Sequence, residues 1–228
     1  MALFQNRREA GRALAERLLP SRAADSDTVV FALPRGGVPV GYEVARALHA
    51  PLDVFLVRKL GMPGEEELAL GAIASGGVRV LNRDLIDYLH ISEDLLEEVT
   101  AREQRELETR ERLYREGREP LSPRDRTVIL VDDGLATGAS MLAAARALRP
   151  QGVRKITVAV PVAARQTCNS IRTEVDEIVC AATPHPFGAV GIWYEDFSQT
   201  TDEEVRTLLE EARQQMTSDP PVPQPANF

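Results

Sequence analysis

The chain has 228 residues, of which 43% are hydrophobic, and this is enough for one large α/β domain with a sizeable core. Its formal net charge of −8 and its sequence pI near 5.1 argue against a nucleic-acid partner, because nucleic-acid binders normally present a basic face. No run approaches the ~18 apolar residues of a membrane span, and the charged N-terminus lacks the apolar core of a signal peptide. We therefore expect a cytoplasmic protein that binds neither nucleic acid nor membrane.

The cysteines and histidines do not have the spacing of a metal site. Cys168 and Cys180 are the two cysteines of the chain, and we interpret them as buried thiols in a reducing compartment. His49, His90 and His185 lie far apart in the sequence, so a zinc site is not expected.

Strands and helices alternate along most of the chain. Ala10, Leu14 and Leu18 place apolar groups on one face of a first helix, which Pro20 is expected to end. Buried strands are predicted at residues 28–33, 52–57, 127–131, 155–162 and 177–181, and further helices at 37–48, 139–148 and 164–173. This alternation predicts an α/β fold with a mostly parallel sheet that is flanked by helices on both faces.

Two segments near the middle and the end of the chain are predicted to be irregular. Residues 60–67 (LGMPGEEE) are rich in Gly, Pro and acidic residues and predict a loop, followed by apolar segments at 68–74 and 78–81. The tail at residues 216–228 contains four prolines and is predicted to be disordered.

A long charged helix is predicted at residues 92–117. Ser92 is suited to cap its N-terminus, and Glu93 and Asp94 are favourable in its first turn. We expect this helix either to be solvated or to form a contact between the subunits of a homodimer.

The most informative stretch is residues 128–140, which read VILVDDGLATGAS. Four apolar residues end a strand that leads into Asp132 and Asp133, and a short loop of small residues then opens a helix. Ligands bind at the carboxyl ends of the strands in open α/β sheets. The two carboxylates can accept hydrogen bonds from a pair of vicinal hydroxyls, and they favour positive charge that develops nearby.

The loop that follows the acidic pair is suited to a phosphate group. It consists of Ala136, Thr137, Gly138, Ala139 and Ser140. Backbone N–H groups at a helix N-terminus bind phosphate, the glycine allows a close approach, and the two hydroxyls can donate further hydrogen bonds. A hydrophobic strand ending in Asp-Asp also resembles a Walker B element, but the sequence lacks the G-x-x-x-x-G-K-[ST] loop that would accompany it.

VILVDDGLATGAS resembles the signature of type I phosphoribosyltransferases, the superfamily that binds 5-phosphoribosyl-1-pyrophosphate (PRPP). The resemblance implies that Asp132 and Asp133 hold the ribose 2′- and 3′-hydroxyls and contact Mg²⁺ through water. It also implies that residues 136–140 wrap the 5′-phosphate. The chain further resembles a set of bacterial predicted phosphoribosyltransferases that share LPRGGVPV, VILVDDGLATG and WYEDFSQ, a set with no settled acceptor.

Residues 33–40 (LPRGGVPV) follow the first strand, where this superfamily keeps its pyrophosphate loop. The resemblance implies that Arg35, Gly36 and Gly37 bind the pyrophosphate, since glycines allow close approach and an arginine can pair with a phosphate in a bidentate manner. We expect a cis peptide bond on one side of Arg35, because pyrophosphate loops in this superfamily often carry one.

Residues 57–64 (VRKLGMPG) resemble the start of the flexible loop of adenine phosphoribosyltransferases. Arg58 and Lys59 are therefore assigned to the catalytic residues together with the acidic pair. They are expected to reach the pyrophosphate while the loop closes over the site and excludes water.

The resemblance implies one phosphoribosyltransferase-like domain at residues 1–215 with a small hood over its site. The segments assigned to the hood are residues 60–82 and 183–200, and the helical insertion is assigned to residues 84–117. In the second hood segment, Phe187, Trp193 and Asp196 are the candidates for binding the acceptor, with the aromatic rings stacking on it.

The implied reaction transfers ribose 5-phosphate from PRPP to a nitrogen of a small-molecule acceptor, releases pyrophosphate and uses Mg²⁺. Ala136 stands where hypoxanthine-guanine enzymes carry an aspartate, and Ala69 where adenine enzymes carry a glutamate, so no general acid or base is assigned. If the protein is an enzyme, Ala136 favours an acceptor closer to adenine than to hypoxanthine or guanine. The alternatives are a regulatory protein that senses PRPP without catalysis, and a sugar-phosphate hydrolase.

Overall fold

The structure, a computed structural model, describes residues 2–22 and 27–218. The strands, numbered in chain order, are β1 (Thr28–Ala32), β2 (Leu52–Val54), β3 (Val57–Met62), β4 (Glu65–Ala74), β5 (Val78–Leu81), β6 (Thr127–Val131), β7 (Lys155–Val162) and β8 (Glu177–Ala182). The helices are α1 (Arg7–Arg22), α2 (Gly37–Leu48), α3 (Arg83–Tyr88), α4 (Glu93–Arg115), α5 (Ala139–Leu148), α6 (Arg165–Ile171) and α7 (Asp202–Ser218). None of the helices in the described part of the chain is long and apolar enough to cross a membrane.

Five parallel strands form the central sheet in the order β2-β1-β6-β7-β8. Every residue of β1 and β6 is buried, as expected for strands that helices cover on both faces. Along β1, Val30 packs with α1 and α2 on one face, whereas Val29 and Phe31 pack with α5 and α6 on the other. The predicted α/β fold with a parallel sheet between helices is confirmed.

The first segment assigned to the hood lies in a separate antiparallel sheet in the order β3-β4-β5, whereas the second, residues 183–200, contributes no strand to that sheet. The loop predicted at residues 60–67 is wrong, because β3 and β4 form a hairpin there and only Pro63 and Gly64 make the turn. Gly64 has a φ of 85°, which a glycine adopts without steric cost. The predicted strand at 52–57 is also divided, since β2 ends at Val54 and the hood begins at Val57.

The long charged helix is confirmed as α4, and the Ser92 side chain accepts a hydrogen bond from the backbone N–H of Leu95 at 3.3 Å. It is not fully solvated, because one face is buried within the chain itself. Leu96, Val99 and Leu107 are buried, and they belong to a core shared with the hood and α7. The helical spacing of these apolar residues produces the buried face, although most of the helix surface is charged.

Three local predictions differ from the structure. Helix α1 does not end at Pro20 but continues to Arg22. Cys168 and Cys180, expected as two buried thiols, lie side by side as a pair, because α6 packs against β8 and brings them together. Helix α7 extends to Ser218, so the first residues of the predicted disordered tail are helical, and residues 219–228 lie outside the described residues.

Asp53 in β2 anchors the end of α4 to the central sheet. Its carboxylate accepts hydrogen bonds from Arg115 Nε at 3.1 Å and from the backbone N–H of Leu121 at 3.0 Å. Both Asp53 and Arg115 are buried. Removing one partner of a buried ion pair leaves the other charge without compensation, which is strongly destabilising.

We therefore expect Asp53→Ala to lower the free energy of unfolding by about 3–5 kcal/mol. Glu174→Ala removes the exposed pair with Arg146 and is the matched control, with an expected loss of about 0–1 kcal/mol. Denaturant unfolding of both variants measures the difference. Equal losses in the two variants would contradict the anchoring role of Asp53.

Candidate active site

The candidate site lies at the carboxyl ends of β1 and β6, which are neighbours in the sheet. Ala32 at the end of β1 is in register with Val131 at the end of β6, and the backbone N–H of Leu33 donates to the Val131 carbonyl at 2.9 Å. The loop at residues 34–37 and the acidic pair therefore leave the sheet side by side. Sequence reasoning placed both elements at strand ends, and the strand order brings them together.

The glycines of the loop lie directly against the acidic pair. A Cβ atom added to Gly36 would lie 2.1 Å from Asp133 Oδ2, and one added to Gly37 would lie 2.9 Å from the Asp132 Cα. Any side chain at Gly36 would displace the Asp133 carboxylate. Glycine is thus required here for the close contact between the two elements.

The peptide bond between Pro34 and Arg35 is cis, which confirms the expectation for this loop. The Arg35 guanidinium points toward the first turn of α7, with Nη1 3.9 Å from Asp202 Oδ1. Asp202 in turn accepts a hydrogen bond from the Tyr114 hydroxyl at 2.6 Å, and burial, with Asp202, raises the pKa of Tyr114 to about 12.

Asp132 and Asp133 are neighbouring carboxyl groups, and the pKa of each is raised. The backbone N–H of Asp133 donates to Asp132 Oδ1 at 2.8 Å. Burial raises the pKa of Asp132 well above its ordinary value, and the charge of Asp133 raises it further. Burial also raises the pKa of Asp133, against the opposing effect of Arg7.

Arg7 is a site residue that sequence reasoning missed. Its Nε donates to Asp133 Oδ2 at 2.9 Å, and only 11% of its side chain and 15% of that of Asp133 are exposed. Tyr194 contacts the same residue from the hood side, where its hydroxyl donates to the Asp133 carbonyl. Arg7 and Tyr194 are 126 and 61 positions away from Asp133 along the chain. No local sequence pattern indicates contacts over such separations.

The predicted phosphate loop is at the N-terminus of α5, next to the acidic pair. Gly138 caps this helix in the left-handed region with a φ of 73°. Ala136, Thr137 and Ser140 are exposed, so the loop is accessible from solvent. Thr167 of α6 donates to the Ala136 carbonyl, which ties the loop to α6.

The structure does not join Arg58 and Lys59 to the acidic pair. Arg58 Nε and Nη2 donate to the Glu103 carboxylate of α4 at 2.9 and 2.6 Å, and Lys59 is exposed. Burial opposes ionisation of Glu103, yet the hydrogen bonds from Arg58 and Arg102 hold its pKa below its ordinary value. To contact the pyrophosphate as predicted, Arg58 would have to leave its ion pair with Glu103.

Two of the predicted acceptor residues form an aromatic cluster with the N-terminal segment. The rings of Phe187 and Trp193 are 6.4 Å apart, and Trp193 Nε1 donates to the Phe187 carbonyl at 3.0 Å. Asp196 is exposed, and the backbone N–H of Ser198 donates to it. Phe197, which was not among the candidates, is linked to the acidic pair through Arg7, whose guanidinium lies 3.9 Å from its ring centroid and donates to Asp133.

Comparison with known proteins agrees with this arrangement. The family model described as the phosphoribosyl transferase domain matches residues 2–192. The chain belongs to this family.

Relatives of this phosphoribosyl transferase domain include proteins of similar and of greater length. Two Mycobacterium tuberculosis proteins, both named "Putative phosphoribosyl transferase", are each 44% identical over 212 residues, which is 93% of this chain and 47% of theirs. The chain therefore spans about half the length of the curated relatives that it matches. The crystal structure of TT1426 from Thermus thermophilus is 44% identical, with a TM-score of 0.82 over 92% of this chain and 99% of that one.

The acidic pair of this domain fits the Mg²⁺ that the family implies. Mg²⁺ keeps several of its waters and is usually held by one or two carboxylates together with substrate phosphates. In the described residues no group of three His, Cys, Asp or Glu side chains could hold a metal by itself. Asp132 and Asp133 would hold the ion, which would neutralise pyrophosphate charge when substrate is bound.

The raised pKa of Asp132 predicts an effect on the stability of the ligand-free protein. A carboxyl whose pKa is higher in the folded than in the unfolded state destabilises the fold as the pH rises from its ordinary pKa to its folded pKa. Asp132→Asn removes this charge and can keep the hydrogen bond from the Asp133 N–H. We expect the variant to melt at a higher temperature at neutral pH, by about 2–4 °C for each kcal/mol of relieved cost.

Thermal melting from neutral to mildly acidic pH tests this prediction. The advantage of Asp132→Asn should shrink as the pH falls, because the carboxyl of the parent protein then takes up its proton. Asp87→Asn changes an exposed aspartate of α3 and is expected to have little effect at any pH. A melting temperature of Asp132→Asn below that of the parent protein at neutral pH would refute it.

Proposed function

We propose that this protein transfers ribose 5-phosphate from PRPP to a nitrogen of a small-molecule acceptor and releases pyrophosphate. The observation that carries the proposal is the contact between the loop at residues 34–37 and the acidic pair. With the exposed N-terminus of α5 beside them, these elements offer neighbouring places for the pyrophosphate, the ribose and the 5′-phosphate of one PRPP molecule. Membership of the phosphoribosyl transferase domain family supports this interpretation.

The reaction breaks the bond between ribose C1 and the pyrophosphate oxygen, which leaves with the bonding electrons. The acceptor nitrogen forms the new bond to C1 and gives up its proton. Positive charge develops on the ribose ring between these two events, and fixed carboxylates nearby stabilise it. Asp132 and Asp133 are held in place by the backbone and by Arg7, so little reorganisation is needed as the charge forms.

The remaining elements bind and orient the substrate. Gly36 and Gly37 let the backbone approach the pyrophosphate closely, and Arg35, whose side chain is 34% exposed, supplies a cation at the same loop. The N–H groups at the start of α5 favour the 5′-phosphate. Thr137 and Ser140 are exposed beside them and can donate further hydrogen bonds.

A PRPP sensor without catalysis is the second candidate, and one contact favours it. Arg58 is held by the partly buried Glu103, so the hood residue assigned to pyrophosphate is not directed at the site in this structure. A sensor needs the ribose and phosphate elements but not Arg58. An enzyme requires that the hairpin of β3 and β4 bring Arg58 to the pyrophosphate when PRPP binds.

The first test is binding of PRPP in the presence of Mg²⁺. We expect the parent protein to bind it and the variant Asp132→Asn/Asp133→Asn to bind it about 100-fold or more weakly, since each carboxylate accepts a hydrogen bond from the ribose. Isothermal titration calorimetry measures both affinities. Asp84→Asn/Asp87→Asn, in exposed positions of α3, is the matched control and should bind as the parent does.

Circular dichroism of the doubly substituted site variant should show an intact fold, so that lost binding reports on the site. Unchanged affinity in a folded variant would overturn the assignment of the ribose site.

The second test separates an enzyme from a sensor. Protein, Mg²⁺ and PRPP are incubated with adenine, guanine, hypoxanthine and xanthine at equal concentrations, and pyrophosphate release and nucleotide mass are measured. Because Ala136 offers no side-chain hydrogen bond to a 6-oxopurine, we expect adenine to be used faster than the other three. Faster use of guanine or hypoxanthine would contradict this acceptor preference, and PRPP binding without turnover of any of the four bases would favour the sensor or a non-purine acceptor.

A further inference from the structure

The N-terminal segment pairs with residues 193–196 of the second hood segment, beside the candidate site. The backbone N–H groups of Leu3 and Phe4 donate to the Trp193 carbonyl at 2.9 and 3.1 Å. In return, the N–H of Glu195 donates to the Phe4 carbonyl at 2.9 Å, and that of Asp196 to the Gln5 carbonyl at 2.8 Å. Residues 3–5 thus run along residues 193–196 and fix where α1 begins.

Arg7, the first residue of α1, is directed by this arrangement onto the acidic pair. Three groups hold its guanidinium: the Asp133 carboxylate at 2.9 Å, the Ser198 carbonyl at 2.7 Å and the ring of Phe197 at 3.9 Å. Phe197 and Ser198 belong to the second hood segment, whereas Asp133 follows the end of β6. A guanidinium with three such contacts is held in one place.

The Asp133 side chain is correspondingly restrained on several sides. Arg7 holds Oδ2, and the absence of a side chain at Gly36 leaves the space that Oδ2 occupies. Tyr194, which forms an isolated β-bridge with Phe4, donates to the Asp133 carbonyl. The N-terminal and hood segments therefore act together on one residue of the acidic pair.

Arg8 provides an internal comparison on the same helix. It also pairs with a buried carboxylate, Glu43 at 3.1 Å, and lies 4.8 Å from the ring of Tyr42. Its side chain is 46% exposed, and none of its partners is in the candidate site. Both arginines pair with a carboxylate of low exposure and can stabilise the fold. Only Arg7, however, contacts a residue that is assigned to the ribose.

We infer that Arg7 is a positioning residue of the active site, which orients the Asp133 carboxylate toward the ribose hydroxyl and keeps it from turning away when no substrate is present. This inference rests on the proposed function, because it assigns Asp133 to the ribose. It makes residues 3–7 part of the site, although they are far from the signature sequence. Arg7 acts through Asp133 and needs no contact with PRPP itself.

The experiment is a double-mutant cycle on the affinity for PRPP with Mg²⁺, measured by calorimetry. Arg7→Gln should weaken binding by about tenfold or more, the usual range for losing a hydrogen bond to a charged group. In the Asp133→Asn background the same change should cost less than about twofold, because residues that act as a unit are not additive. Arg8→Gln is the matched control and should leave the affinity unchanged.

Arg7→Lys guards against a folding defect, since it retains the positive charge. It should bind PRPP with an affinity between those of the parent protein and Arg7→Gln, while its melting temperature stays close to that of Arg8→Gln. An Arg7→Gln affinity equal to that of Arg8→Gln, or a full loss that persists in the Asp133→Asn background, would overturn the inference alone. Failure of the parent protein to bind PRPP would overturn the proposed function and this inference with it.

Discussion

The contact between the loop at residues 34–37 and the acidic pair determines how the rest of the candidate site is arranged. It follows from the sheet order, which places β1 beside β6, and from two glycines that let the loop lie against Asp132 and Asp133. Other segments assigned to the candidate site adjoin this contact. The phosphate loop follows the acidic pair directly, and Arg7 and Tyr194 hold Asp133 from the N-terminal segment and from residues 193–198.

The same contact concentrates negative charge in a poorly solvated place. Burial and mutual repulsion raise the pKa of Asp132, and burial raises that of Asp133. Among the contacts of the pair, Arg7 is the cation that the fold supplies against this charge. The site is thus arranged to favour a ligand that carries positive charge or hydroxyl donors to the carboxylates, as expected of a group that stabilises a developing cation.

Local sequence patterns were sufficient to predict much of this, and long-range contacts were not. Asp132, Asp133 and the phosphate loop are consecutive, so one stretch shows a strand end, an acidic pair and a helix start together. Ser92 could be assigned as a cap because a cap depends on the next few residues. The hairpin of β3 and β4 was missed because Gly, Pro and acidic residues at 60–67 suggest a loop, whereas pairing between the strands decides otherwise.

The long helix α4 shows what the sequence could not indicate about the hood. Its charged composition suggested a solvated surface, yet one of its polar residues contacts an arginine assigned to pyrophosphate and another contacts a carboxylate that faces the second such arginine. Glu103 holds Arg58 of the hood, and Tyr114 holds Asp202, which faces Arg35 of the loop at residues 34–37. These pairs join residues 45 and 88 positions apart. Both cations face carboxylates in this structure, so the pyrophosphate binding that we propose would have to compete with Glu103 and Asp202. Through Glu103 and Tyr114, α4 would then influence the affinity for the leaving group from outside the central sheet.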